Sequence, residues 1–259
     1  MARNASLAAP FLKRLELRDG HGGSGYPFDL PILEGGHLRI DFDRRITIFV
    51  GENGTGKSTL LEAIAGQIGF ASGGGSRDHR FDKADQPTLA NALRLSWLPK
   101  VPNGFFFRAE SFFNFARYID QLSTEWPAMR ADYGGQPLHD QSHGESFLAL
   151  FENRLGSSRR AIYLMDEPEA ALSPARQIRF LRHLARAEAS GNVQVILATH
   201  SPILMGYPTA RLLSFDGGRI HESTATDAAN YRELARFFAD PDEFYRRALA
   251  GAGDPDGEP

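Results

Sequence analysis

Cysteine is absent from the chain, which excludes disulfides, iron–sulfur clusters and thiolate zinc sites and fits a reducing, cytosolic setting. Charge of one sign is also lacking. A net charge of -3 gives no global field to hold nucleic acid or an anionic membrane, so such contacts would need a local patch. No apolar run approaches the roughly 18 residues of a membrane span. The opening Met1-Ala-Arg-Asn-Ala-Ser leads into a short mixed stretch, not a secretory core. The expectation is a soluble, cytoplasmic protein. What is present is ordinary for a globular chain: 42% hydrophobic and 24% charged residues over 259 positions, with no internal repeat. That length suits one large domain or two small ones. It buries about three-quarters of its unfolded surface and needs no staples.

Hydrophobic periodicity organises the chain. Residues 11–17 and 37–43 alternate apolar and polar side chains, as half-buried strands do, and 45–50 reads as a buried strand. Leu61, Ile64, Ala65 and Ile68 follow at helical spacing. Residues 71–87, rich in glycine and charge, read as a mobile loop. A strand is expected over 93–98. A helix over 111–122 carries Phe112, Phe115, Ala116, Ile119 and Leu122 on one face, and another spans roughly 145–155. Apolar strands at 160–167 and 192–200 flank a proline-started helix, 174–189. A hairpin over 212–223 turns on Asp216-Gly217-Gly218. Helices near 227–238 and 241–249 precede a tail, 251–259, expected to be disordered. Strands alternating with helices and buried on both faces imply an α/β domain with a mainly parallel sheet.

The stretch Gly51-Glu-Asn-Gly-Thr-Gly-Lys57-Ser58-Thr59 matches G-x-x-x-x-G-K-[ST] in full, after a buried strand and before a helix, the context a phosphate loop requires. Gly51, Asn53, Gly54, Thr55 and Gly56 supply a tightly wrapped backbone whose N–H groups converge on phosphate. Lys57 reaches the β- and γ-phosphates, Ser58 ligates Mg²⁺, and Thr59 lies near the α-phosphate. ATP and Mg²⁺ are the expected ligands.

Asp166 and Glu167 end an apolar strand. Adjacent carboxylates repel unless a cation compensates, so Asp166 is the second Mg²⁺ residue and Glu167 the general base for an attacking water. His200 ends the third apolar strand, on the edge where open α/β sheets bind ligands. It is a candidate γ-phosphate sensor.

With these residues in hand, the chain resembles the ATP-binding-cassette (ABC) ATPase superfamily over most of residues 11–223. The resemblance implies a P-loop NTPase fold: a mainly parallel sheet, an N-terminal antiparallel β subdomain and a small helical lobe. It implies one ATPase domain over residues 1–250, with the lobe at about 105–158. Ser142-His143-Gly144-Glu145-Ser146 stands where the family has its signature loop, departing from L-S-G-G-Q. Carried over, Ser142 and Gly144 clamp the γ-phosphate bound to a second copy of the chain, so ATP acts as glue in a symmetric homodimer. No glutamine marks the glutamine loop; Arg108 and Glu110 stand in that region. Tyr26 and Phe28 are candidates for stacking on adenine.

Transporter subunits typically read D-E-P-T-S-A-L-D after this strand. Here DEPEAALSP and ATHSP are similar to a soluble branch of ATPases related to RecF, overcoming-lysogenization-defect (OLD) and chromosome-maintenance (SMC) heads. The short stretch between Glu110 and Gly144 excludes a long coiled-coil arm. Two features leave the partner open. Arg176, Arg179, His183 and Arg186 form a helical stripe, read either as a solvated face or as a DNA-backbone contact. Phe105, Phe106, Phe107, Phe112, Phe113 and Phe115 read as a core of the helical lobe or as a docking surface. The leading expectation is an ATPase acting on nucleic acid or a protein partner in repair, maintenance or defence. The alternatives are the energy-coupling subunit of a membrane transporter and a slowly hydrolysing, nucleotide-gated interaction module.

Overall fold

The computed structural model describes residues 7–20, 25–71, 88–125, 143–154 and 159–250. Strands β1 (Leu12–Leu17), β2 (Arg39–Asp41) and β4 (Leu93–Trp97) form an antiparallel sheet in the order β2-β1-β4. A six-stranded sheet carries β3 (Ile46–Val50), β5 (Gly104–Arg108), β6 (Ala161–Asp166), β7 (Val193–Ala198), β8 (Arg211–Ser214) and β9 (His221–Glu222). Its order is β5-β6-β7-β3-β8-β9, parallel throughout except for the β8–β9 hairpin. Every residue of β3, β6 and β7 is buried, as helices on both faces demand.

Helix α1 (Lys57–Ile68), the short α2 (Thr88–Ala92) and the antiparallel sheet lie over one face. On the other pack α3 (Phe112–Glu125), α4 (His143–Arg154) and α5 (Pro174–Ser190). The short α6 (Pro202–Met205) follows β7, and α7 (Ala229–Ala239) and α8 (Pro241–Leu249) end the described chain. Among the described residues no helix is long and apolar enough to cross a membrane.

One buried amide ties the two sheets together. Gln194, on β7 and fully buried, accepts from the backbone N–H of Phe11 and Leu12, each at 2.8 Å, and donates to the Leu12 carbonyl at 3.0 Å. An apolar residue there would leave three buried backbone groups unmet.

The structure corrects the expected start of the helical lobe. Residues 104–108 form β5, paired residue for residue with β6 from Gly104↔Ile162 to Arg108↔Asp166. Phe105 and Phe107 face one side of the sheet and Phe106 the other, the alternation a strand imposes. Phe105, Phe106, Phe107 and Phe112 are therefore core, while the side chains of Phe113 and Phe115 lie outside what the structure describes. Phe107 meets the rings of Phe112, Phe147 and Phe151 at 5.3, 4.6 and 5.7 Å, and Phe180 closes the group at 5.1 Å from Phe151.

The basic stripe on α5 is partly solvated, with Arg179 and Arg186 exposed, and partly paired. Arg176 pairs with Glu145 at 3.1 Å, and Arg179 and His183 both reach Glu152, at 2.5 and 3.4 Å. Three of its four side chains thus stitch α5 to α4. The hairpin stands as expected, with Gly217 and Gly218 at φ 66° and 70°. The loop expected over 71–87 (Ala71 apart), the tail at 251–259, residues 126–142 and with them Ser142 lie outside the described residues.

Candidate functional site

The parallel sheet brings the tips of β3, β6 and β7 side by side. The chain leaves β3 at Gly51, whose φ of 137° no side chain adopts easily. It then wraps through Gly54 and Gly56, at φ 80° and 96°, into α1. Lys57 is buried within this loop and donates to the carbonyls of Gly51 and Glu52 at 2.6 and 2.7 Å. Burial holds its ammonium below the ordinary lysine range, opposed by the charges of Asp216, Glu167, Asp166 and Glu52.

Asp216 is a site residue that sequence reasoning assigned only to a turn. Its Oδ1 accepts from the backbone N–H of Glu52 at 2.8 Å, and its Oδ2 accepts from Ser214 at 3.0 Å. A Cβ on Gly51 would come within 2.8 Å of Oδ1, so the bare Cα of Gly51 lets this carboxylate brace the loop. Tyr26, largely exposed, holds its hydroxyl 2.9 Å from that of Thr59, beside the phosphate loop. Phe28 instead packs against the core.

Ser58 Oγ donates to Asp166 Oδ1 at 2.8 Å. The two sequence-predicted Mg²⁺ residues are thus in contact although far apart in the chain. Burial pushes the Asp166 carboxyl up to about 6, against the Ser58 hydrogen bond and the nearby Arg108 guanidinium. This pair fits Mg²⁺, which uses one or two protein oxygens and takes water and phosphate for the rest. Among the described residues no cluster of three or more His, Asp or Glu is placed to hold a metal alone.

Arg108, at the tip of β5, is the hub beside them. It contacts Glu62 at 2.5 Å, Asp166 at 3.7 Å and Glu110. Burial raises the Glu62 carboxyl, with Arg108 pulling the other way. Of the two candidates in the glutamine-loop region, Arg108 therefore makes the direct contact with Asp166.

Glu167 follows with φ 49° and ψ 53°, the sole non-glycine residue at positive φ among those described. Such a conformation costs about 1–3 kcal/mol and persists only where surroundings enforce it. The Glu167 side chain is half exposed, and its Oε1 lies 3.9 Å from His200 Nε2. A cleft of about 480 Å³ opens here, lined by Ser58, Arg108, Glu110, Phe112, Asp166 and Glu167 with Ala109, Ala170 and Ala171.

Glu169, also missed in the sequence, lies partly buried and accepts from the His200 backbone N–H at 2.5 Å. Burial raises its carboxyl. Gly144 lies in the first turn of α4. Chemically, the assembled groups can bind a phosphate chain, hold a hydrated divalent cation and accept a proton from water.

One stability prediction arises here. A carboxyl raised in the folded state above its unfolded value disfavours folding once ionised. The penalty is therefore absent below the unfolded value and complete above the folded one. Asp166→Asn keeps the acceptor for Ser58 and removes the charge. We expect it to stabilise the nucleotide-free protein by about 1–3 kcal/mol at pH 7.5, with the gain vanishing below about pH 4. Thermal melts across pH check this; a loss of stability at pH 7.5 would count against it.

Comparison with known proteins agrees with this geometry. Residues 130–206 match the family model described as "AAA domain, putative AbiEii toxin, Type IV TA system", and residues 30–93 match another described as "AAA domain". The hemin import ATP-binding protein HmuV of Pseudomonas aeruginosa is 30% identical over 213 residues, covering 73% of this chain and 79% of that protein. Its counterpart in Rhodococcus jostii is 28% identical over 221 residues, covering 80% and 75%. Among solved structures, cbiO1 from Clostridium perfringens, part of the ABC transporter complex cbiONQ, shares the fold. Its TM-score is 0.51 at 15% identity, covering 92% of this chain and 99% of that one. The SMC head domain from Thermotoga maritima gives a TM-score of 0.45 at 19% identity, covering 83% and 98%. A complete phosphate loop, an acidic strand tip in contact with it, and a relative of this similarity matched over most of its length together place the chain among the ATP-binding-cassette ATPases, enzymes that bind and hydrolyse ATP.

Proposed function

We propose that the chain works as a Mg²⁺-dependent, ATP-sandwich homodimer in the cytoplasm, acting on nucleic acid or a protein partner in repair, maintenance or defence. The observation that carries this reading is the contact of Ser58, from the phosphate loop, with Asp166 at a cleft that Glu167 also lines, with the His200 ring 3.9 Å from Glu167.

The backbone of Gly51, Asn53, Gly54, Thr55 and Gly56 cradles the β- and γ-phosphates, and Thr59 lies beside the α-phosphate. Lys57 gives up its two carbonyl partners for the phosphate oxygens. Ser58 and Asp166 would hold Mg²⁺, which when bound neutralises charge on the phosphates. Glu167 takes a proton from the water that attacks the γ-phosphorus. As that P–O bond forms, the bond to the β-phosphate oxygen breaks and ADP leaves. His200 donates to the γ-phosphate. Ser142 and Gly144 of a second copy close the site, so hydrolysis loosens the pair.

Glu169 favours the soluble branch. Where transporter subunits read D-E-P-T, this chain has a partly buried glutamate hydrogen-bonded to the His200 backbone. The match to a toxin-system family model points the same way. The names of the curated relatives support a second reading, the ATP-binding subunit of an importer. Turnover stimulated by DNA or a soluble protein would favour the first, and turnover gained only with a membrane partner the second.

Light scattering tests the dimer. With Mg²⁺ and a non-hydrolysable ATP analogue, the mass should double from the 28.6 kDa of one chain, whereas Lys57→Ala should remain single. A wild-type chain that stays single at saturating analogue overturns the sandwich.

A further inference from the structure

The contact between α7 and the end of β7 has no part in the reaction described so far. Asn230, in the first turn of α7, extends its side-chain amide to His200. Its Nδ2 lies 3.1 Å from the ring Nδ1 and 3.4 Å from the His200 carbonyl oxygen. A carbonyl oxygen only accepts hydrogen bonds, so the amide atom facing it is the NH₂ nitrogen. The same nitrogen donates its second N–H to the ring, which makes Nδ1 an acceptor. A neutral imidazole that accepts at Nδ1 carries its proton on Nε2.

That proton points where the proposed chemistry needs it. Nε2 is sealed from solvent and has no hydrogen-bond partner, and the nearest carboxylate oxygen, on Glu167, is 3.9 Å away. A buried N–H without an acceptor is rare in folded proteins. Its carboxylate neighbour Glu167 lines the cleft, so an anionic oxygen bound beside Glu167 would complete it. The backbone of His200 is fixed independently, its N–H donating to Glu169 Oε1. The residue is therefore held from two sides, its main chain by Glu169 and its ring by Asn230.

We propose that Asn230 is a positioning residue that locks His200 in the Nε2–H tautomer, so that helix α7 sets the donor which meets the γ-phosphate. The functional half of this inference rests on the reading of His200 given above; the tautomer does not. Helix α7 itself is anchored through the turn at 225–227 and the buried Ala228, and it exposes Leu234 and Phe238 along its length. Movement of that helix would act on the ring through a single amide.

Nitrogen-15 labelling of histidine in the full chain, with two-bond proton–nitrogen correlation, reads the tautomer directly. His200→Gln identifies the signals. The wild type should show bare Nδ1 and protonated Nε2. Asn230→Asp offers only acceptors, so it should invert the pattern and lower kcat by about tenfold or more, with ATP affinity within about twofold of wild type. Asn230→Ala should give a mixture and a smaller loss. Protonated Nδ1 in the wild type overturns the proposal whether or not the variants fold. Unchanged turnover in a tautomer-inverted Asn230→Asp overturns its functional half. If His200→Gln hydrolyses ATP normally, the phosphate-sensing role fails while the positioning by Asn230 stands.

Discussion

Replacing Glu167 by glutamine is expected to slow ATP turnover by roughly 10²–10⁴-fold and leave ATP affinity within about twofold. The amide keeps the shape and the φ of 49° that aims the side chain, but it cannot take a proton from water. The neighbouring carboxylate cannot stand in. Asp166 is buried, accepts from Ser58, and lies against Arg108, while Glu167 keeps a half-exposed carboxylate at the mouth of the cleft. Two adjacent acids are thus divided by environment, one committed to holding and one free to react. Phosphate release measured at saturating ATP reads the loss. In the same variant, dimers should accumulate with Mg-ATP, since the bridging phosphate is not removed. Normal hydrolysis by Glu167→Gln would remove Glu167 from the role of base.

The largest structural effect is expected at Gly104. A Cβ there would lie 1.8 Å from the Ile162 carbonyl oxygen and 3.0 Å from the ring of Phe70. The first contact is with the backbone of the strand that β5 must pair with, and no rotamer change relieves it. Glycine is also required by φ 146°. Gly104→Ala should cost about 3–5 kcal/mol and lower Tm by roughly 6–20 °C for a domain of this size. Turnover should fall with it, since β5 carries Arg108 to Asp166. A melting temperature within about 2 °C of wild type would show that β5 docks without a bare Cα at this position.

The legible parts of the molecule were those written in local pattern. The buried strands at 46–50, 161–166 and 193–198 and the loop at 51–59 follow from runs of apolar residues and from glycine placement, and their side-by-side tips follow from parallel α/β topology. Strand β5 was hidden because three consecutive phenylalanines, buried on both faces, show no period. They read equally well as the start of the helix that follows. Asp216, Glu169 and Asn230 were missed for another reason. Each acts across a fold-level contact, Asp216 on Glu52, Glu169 and Asn230 on His200, and spacing along the chain carries no trace of such pairs. For the arginines of α5, helical periodicity reports that residues share a face, not what the face meets. Here it meets the acids of α4.

Gln194 has a mechanical corollary. Its three hydrogen bonds join the first strand of the small sheet to the strand that ends just before His200. Sliding one layer over the other would have to break all three at once, out of reach of water. The small sheet is accordingly latched to the strand that carries His200, and a force on either layer is passed to the other through one amide.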